Sequence, residues 1–300
     1  MRIFLTGATG FIGSYLIPEL ISHGHQVLGL SRSDNSARRL LDAGAEVHRG
    51  SLDDIDGLRR AAVAVDAVIH CAYDHDFSRP EEIARLEAGA IEAFGTALAG
   101  SERPLVITSV CGMGAEAPRQ LATESGFNPH NPRSSTEQAG RAASAKGANV
   151  SIVRLAQVHD TARQGFVSAL VGLAREKGVS GFVGDGENRW AAVHVEDAAR
   201  LYRLAVEKAA PRGVYHAVGE DGVSLKSIAA AIGERLDVPV QSLLPEAVKA
   251  HFGWLEIFAG MDMSASSTAT QQRLNWVPQG PGLLEDLSRL PLTVDQGVSR

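Results

Sequence analysis

Thr6-Gly7-Ala8-Thr9-Gly10-Phe11-Ile12-Gly13 is the stretch on which the reading of this chain turns. It follows a short apolar run, residues 2–5, with the composition of a buried parallel strand. It opens a segment, residues 11–22, in which Ile12, Tyr15, Leu16 and Leu20 recur at helical spacing. Pro18 sits inside that segment and predicts a bend, and Gly24 predicts its end. The glycines have separate tasks. Gly7 permits a tight turn, Gly10 lets main chain approach a pyrophosphate, and Gly13 lets the helix pack on the strand. The helix start, at Phe11 and Ile12, then presents free N–H groups and the positive end of a helix dipole to phosphate. A glycine-rich turn of purely structural use is the alternative. Agreement of strand, spacing and helix favours a dinucleotide cradle that includes Thr9.

Working outward, strands are predicted at 26–30, 46–49, 66–70 and 104–108, with helices at 35–43, 55–62 and 80–98. Strands alternating with helices at this spacing mean right-handed βαβ units and a parallel sheet. The fold class is therefore α/β, a doubly wound Rossmann sheet. Residues 112–132 are rich in Gly, Pro, Asn and Ser and read as a long functional loop. A helix at 134–146, a strand at 150–155 and a helix at 165–177 follow. Residues 178–188, with Gly181, Gly184 and Gly186, read as a loop. Helices are predicted at 196–208 and 225–236, and the pattern weakens after Pro239. Residues 1–155 form the expected dinucleotide-binding domain. Residues 156–300 form a smaller, mainly substrate-binding region, with some segments returning to the sheet.

The 300 residues carry a formal net charge of -6, a poor match to nucleic acid, whose phosphates need a basic face. No apolar run approaches a membrane span. The start of the chain has no signal-peptide pattern, so a cytoplasmic location is expected. The two cysteines, Cys71 and Cys111, form no disulfide framework, and no His, Cys and carboxylate cluster has metal-ligand spacing.

In a NAD site, an acid at the end of the second strand takes the ribose 2′-hydroxyl. That position reads Ser31-Arg32-Ser33. An arginine there stacks on adenine and pairs with a 2′-phosphate, so NADP(H) is the preferred cofactor and NAD(H) the alternative. In that alternative Arg32 is a solvated loop residue and Asp34 reaches the ribose.

With these residues in hand, the chain resembles the extended or atypical short-chain dehydrogenase/reductases related to the NAD-dependent epimerase/dehydratase group, over nearly its whole length. Thr6–Gly13 is similar to the family's phosphate turn. Gly50-Ser51-Leu52-Asp53 resembles its Gly-Asp-Leu loop beside adenine, with Ser51 departing from the Asp. Ile69-His70-Cys71-Ala72 resembles the segment along the cofactor. Val106-Ile107-Thr108-Ser109 resembles the strand end that supplies the active-site serine, which implies that role for Ser109. Val153-Arg154-Leu155 resembles the segment approaching the nicotinamide. Two later stretches, Ala192-Val193-His194-Val195-Glu196-Asp197 and Leu274-Asn275-Trp276-Val277-Pro278, also resemble family signatures.

The resemblance stops at the chemistry. The family's general acid is the Tyr of a Tyr-x-x-x-Lys pair, placed on one helix face by four-residue spacing. The tyrosines are Tyr15, Tyr73, Tyr202 and Tyr215, and none has a lysine four residues later. Arg133 stands where the Tyr is expected and Glu137 where the Lys is expected. An arginine is a poor proton donor at neutral pH, but it stabilises an oxyanion. The bland alternative is a helix-surface salt bridge between Arg133 and Glu137. Tyr73 and His75, just after the fourth strand, are candidate acids, as against an ordinary polar loop. His159, after the nicotinamide-facing strand, is a candidate to line the substrate pocket, but a lone His there, like His130 in the loop before Arg133, more often reads as structural or solvated. His194 and Asp197 read as a hydrogen-bonded group at the junction. Trp190, Phe252 and Trp254 suit an apolar substrate, a core or a subunit interface equally well.

The expected activity is NADPH-dependent reduction of a carbonyl, imine or conjugated double bond in a small organic substrate, with Ser109, Arg133 and Tyr73 at the reacting end. The rivals are an epimerase, dehydratase or isomerase using bound NAD(P), and a cofactor-binding sensor without turnover. A homodimer is a further expectation of the resemblance.

Overall fold

A computed structural model describes residues 1–74, 76 and 78–292. Strand β1 (Arg2–Thr6), helix α1 (Phe11–Ser22), β2 (Gln26–Ser31), α2 (Asp34–Asp42), β3 (Glu46–Arg49), α3 (Ile55–Val63), β4 (Ala67–His70), α4 (Pro80–Leu98), β5 (Pro104–Val110), α5 (Ser134–Ala145) and β6 (Asn149–Leu155) alternate along the chain. The later part holds β7 (Gln157–His159), α6 (Phe166–Lys177), β8 (Ser180–Val183), β9 (Arg189–His194), α7 (Val195–Lys208), β10 (Val214–Ala217), β11 (Glu220–Ser224), α8 (Leu225–Leu236), β12 (Val240–Leu243), α9 (Pro245–Phe252), α10 (Glu256–Ala259), α11 (Thr268–Leu274) and α12 (Leu283–Ser288).

The main sheet has seven strands in the order β10-β6-β5-β4-β1-β2-β3, all parallel. This is the Rossmann α/β fold. The chain runs outward from β1 through β2 to β3, then returns to the other side of β1 with β4. Loops leaving β1 and β4 therefore diverge and open a crevice at the carboxyl ends of the strands.

Strand β1 is apolar on both faces because both faces are covered. Ile3 and Leu5 join one core with Leu16, Leu40 and Leu201 of α1, α2 and α7. Phe4 joins the other with Leu58, Ile91, Phe94 and Ala143 of α3, α4 and α5. Each such side chain contributes roughly 1.5–3 kcal/mol on full burial.

The later part builds its own core, in which Val167, Trp190, Leu225, Ile228, Phe252 and Leu287 are buried. Trp190 and Phe252 thus serve packing. Within the expected loop 178–188 lies β8, which pairs in parallel with β12. Gly181 misled the reading: a Cβ there would lie 2.8 Å from His251 and Leu243 side chains, so the glycine permits close packing rather than a turn. The stretch after Pro239 holds short elements, too brief to show a period.

Helix α7 and strand β10 return to the Rossmann layer. His194 and Asp197 do not bond to each other. His194 caps α7 through the Glu196 amide at 3.4 Å. Asp197 accepts from the Gln279 and Gly280 amides at 2.9 and 2.8 Å and holds the returning tail. No helix among the described residues is long and apolar enough to cross a membrane.

Phe4→Ala should lower stability by about 3–5 kcal/mol, because a large ring leaves a close-packed interior. Urea unfolding followed by circular dichroism measures this. A loss near zero would contradict the packed two-faced sheet.

Candidate active site

The glycine turn is shaped by close approach. Gly7 has φ 70°, and a Cβ on it would lie 2.7 Å from the Ala72 nitrogen at the end of β4. A Cβ on Gly13 would lie 2.2 Å from the Gly7 carbonyl oxygen. Gly13 therefore seats helix α1 on the turn itself, rather than on the strand as expected. Thr6 ties the two strand ends together: its Oγ1 lies 2.7 Å from His70 Nδ1 and accepts from the Ala72 amide at 3.2 Å. Helix α1 has no side-chain cap and no acid in its first turn. Its opening N–H groups, including those of Phe11 and Ile12, have no intrahelical partner. An uncapped helix end beside exposed Gly10 fits a pyrophosphate.

On the ribose side, the Ser31 hydroxyl is turned inward, donating to the Ser33 carbonyl at 3.0 Å and meeting Ser36 Oγ at 2.6 Å. Ser33 caps α2. Both serines build the turn, and Arg32 stands exposed on it. Asp34 meets Arg49 with its side chain 95% exposed. A residue that sequence reading passed over enters here: Arg39 of α2 donates to the Thr9 carbonyl at 3.1 Å. In the adenine-side loop, Ser51 bonds to Asp53 and holds that carboxyl below its usual range. Leu52 packs against the α3–α4 core.

The reacting end is assembled from four elements. Arg133, just before α5, lies with its guanidinium carbon 3.8 Å from the centroid of the Tyr73 ring. Its Nη2 donates to Glu87 of α4 at 2.7 Å and to the Thr108 carbonyl of β5 at 3.2 Å. Thr136 donates to the second Glu87 oxygen at 2.6 Å. Burial pushes the Glu87 carboxyl up, and the Arg133 charge opposes this. Burial likewise raises the Tyr73 phenol, again against Arg133. Two of the three proposed catalytic side chains are thus in contact. Glu87 went unread, although the signal was present: it occupies the buried stripe Ile83, Ala90, Ile91, Phe94 of α4, where a carboxylate needs a partner.

The alternative of a helix-surface salt bridge between Arg133 and Glu137 is not realised. Glu137 is fully buried and receives a two-pronged contact from Arg154 of β6, at 2.7 and 2.8 Å. Arg154 also donates to the carbonyls of Thr123 and Gly126. So Arg154 is buried and clamps the 112–132 loop, and Glu137, where the resemblance led to a lysine, is held in a structural pair.

Ser109 is fully buried, and its hydroxyl has no hydrogen-bond partner among the described residues. Thr108 donates to the His70 carbonyl at 2.8 Å and meets the Tyr202 hydroxyl at 2.7 Å. Desolvation carries the Cys71 thiol up to about 11, so it is no thiolate. Ala72 forms the wall against Gly7, and Leu155 packs partly buried against the sheet core. His70 is buried beside Phe94, and desolvation lowers it to about 3, a neutral ring. His159 is buried against Asp286 at 2.7 Å and lies on the wall of a cavity of about 130 Å³ with His194 and Glu220, away from Tyr73. Trp254 is 56% exposed and meets Phe166 and Phe258 edge-on. His75 lies outside the described residues.

Comparison with known proteins places this geometry. The profile of the NAD-dependent epimerase/dehydratase family matches residues 3–219. The chain belongs to that family, as an atypical extended short-chain dehydrogenase/reductase. An uncharacterised protein of Schizosaccharomyces pombe is 44% identical over 96% of this chain and 98% of its own length. A decarboxylating sterol-4-alpha-carboxylate 3-dehydrogenase of Dictyostelium discoideum is 29% identical over 75% of this chain and 73% of its own. Among solved structures, a dTDP-glucose 4,6-dehydratase of Streptomyces venezuelae with NAD bound shares the fold, with a TM-score of 0.77, 20% identity, and coverage of 96% of this chain and 95% of that one.

Arg154→Met should destabilise the protein by about 3–5 kcal/mol, because it strands the buried Glu137 carboxylate. Adding Glu137→Leu should return much of that loss. A double variant as unstable as the sum of two single variants would show that the pair is not coupled.

Proposed function

We propose that the protein is an NADPH-dependent reductase of a small organic carbonyl, imine or conjugated double bond. The observation that carries this is the Arg133 guanidinium stacked on the Tyr73 ring, at the edge of the sheet that also forms the glycine cradle. The cofactor, when bound, supplies a hydride to the substrate carbon. The chain does the rest. Amides of Phe11 and Ile12 hold the pyrophosphate. Arg32 takes the 2′-phosphate, with Arg39 as a second cation beside Thr9.

Tyr73 delivers the proton to the substrate oxygen or nitrogen. Its phenol is raised by burial, so at neutral pH it is a protonated hydroxyl able to donate. Arg133 cannot serve as that donor, since guanidinium keeps its proton. It stabilises the negative charge that grows on the acceptor atom, and Glu87 and Thr136 fix its orientation. Redox chemistry is in keeping with the dehydrogenase named among the relatives.

A second reading has one specific observation behind it. The lysine position is a buried glutamate locked to Arg154, which favours a cofactor-binding protein without turnover. NADPH oxidation, followed by near-ultraviolet absorbance against ketones, imines and enones, separates the readings. Consumption with reduced product supports the reductase. Product without net consumption points to an isomerase, and binding without product to the sensor.

Arg32→Asp should weaken NADPH binding far more than NADH binding in a calorimetric titration; equal losses would reject the 2′-phosphate assignment. Tyr73→Phe should lower kcat by about 10²–10⁴ with little change in KM. Because the phenol is raised, the alkaline fall in wild-type rate should lie above the ordinary tyrosine value of 10.0. A fall centred below that value would assign the proton to another group.

A further inference from the structure

We propose that Arg163, in the loop between β7 and α6, is a pyrophosphate-binding residue that closes the cofactor cradle from the side of the later, substrate-binding part. The assignment rests on the dinucleotide reading above and adds a residue that no part of the glycine turn supplies.

The loop is fastened to the cofactor helix. Tyr15 of α1 donates to Asp160 Oδ2 at 2.9 Å. Asp160 Oδ1 accepts from the Ala162 and Arg163 amides, both at 2.7 Å. The Asp160 amide returns a bond to the Arg163 carbonyl at 2.8 Å. The far end is held as well, where the Phe166 amide donates to the Gln157 side chain at 2.9 Å. These contacts set the Arg163 guanidinium carbon 5.7 Å from the centroid of the Phe11 ring. Phe11 is the first residue of α1, and its ring lies edge-on to Tyr15 on the next turn.

The charge balance at that point is unusual. The first turn of α1 is the positive pole of a helix dipole and holds no acid. The carboxylate within the loop, Asp160, is occupied by Tyr15 and two main-chain amides. Among the described residues the exposed Arg163 side chain forms no ion pair and no hydrogen bond. By contrast, Arg133 and Arg154 are each bound to a buried glutamate. On the opposite flank of the turn, Arg39 reaches the Thr9 carbonyl. Two guanidinium groups thus bracket Thr9-Gly10-Phe11 at a helix end that already repels cations. A divalent anion between them relieves that repulsion, and the pyrophosphate is the anion the glycine turn is shaped to admit.

Calorimetry with the full chain tests this without any turnover. The ligands are 2′-phospho-ADP-ribose, which carries the pyrophosphate but no nicotinamide, and 2′-AMP, which lacks the pyrophosphate. Arg163→Gln should raise the Kd for 2′-phospho-ADP-ribose about tenfold, the scale of one charge-assisted hydrogen bond, and leave 2′-AMP unchanged. Arg163→Lys should keep part of the affinity, and added salt should shrink the difference from wild type. An unchanged Kd for 2′-phospho-ADP-ribose, or an equal loss for 2′-AMP, would overturn the assignment. Failure of the wild-type protein to bind 2′-phospho-ADP-ribose, 2′-AMP and ADP-ribose alike would instead overturn the dinucleotide reading, and this assignment with it; if ADP-ribose alone binds, Arg163→Gln should raise its Kd about tenfold and an unchanged value would overturn the assignment.

Discussion

Strands β1 and β4 end so close together that the turn leaving β1 has no room for a side chain. Gly7 presses on the Ala72 main chain, and Gly13 presses on the Gly7 carbonyl. Thr6 then stitches the two strand ends through His70 and the Ala72 amide. Everything functional is referred to this contact. It sets where α1 begins and leaves its first amides pointing into the crevice. It also fixes the exit of β4, so that Tyr73 emerges beside the cradle. A lost hydrogen bond elsewhere costs about 1 kcal/mol. A carbon atom added here would displace backbone, and with it the direction of the helix.

The second organising feature is electrostatic. Arg133 and Glu137, four residues apart at the start of α5, do not pair with each other. Each takes a distant partner. Arg133 goes to Glu87 of α4 and lies largely buried over Tyr73. Glu137 goes to Arg154 and disappears into the interior. The pairs differ in what they hold. The first, 14% and 5% exposed at its side chains, orients a cation at the cleft. The second, at 1% and 0%, fastens a loop that would otherwise have no regular structure. Buried pairs contribute little net stability, since desolvation offsets attraction, but removing one partner is costly. They therefore act as positional constraints.

The later part of the chain contributes by anchoring. Asp197 binds the Gln279–Gly280 main chain, Asp286 binds His159, and Asp160 binds Tyr15. Each acid joins segments far apart in sequence. Together they bring the loop carrying Arg163 against the start of α1. Exposed Trp254 lies with Phe166 and Phe258, just beyond that loop.

The Rossmann half was legible because its signals are local. The 3.6-residue and twofold periods, the glycine spacing and the Ser-Arg-Ser at the end of β2 depend only on neighbours along the chain. Helices α1 and α4 and strand β3 ended where their sequence patterns end. Strand β8 was hidden, because Gly181 is needed for a packing contact that only the folded chain creates. The site was legible in its members but not in its wiring. Arg133, Glu137 and Tyr73 stood out as substitutions or as strand-end residues. Their partners lie 46 residues away for Arg133 and 17 for Glu137, and helix spacing alone paired them wrongly. Local pattern determined the sheet, the helices and the cradle, because dihedral preference and side-chain period act over a few residues. Tertiary packing decided which charges meet, because burial removes water and obliges each ionised group to find whichever opposite charge the fold brings within reach.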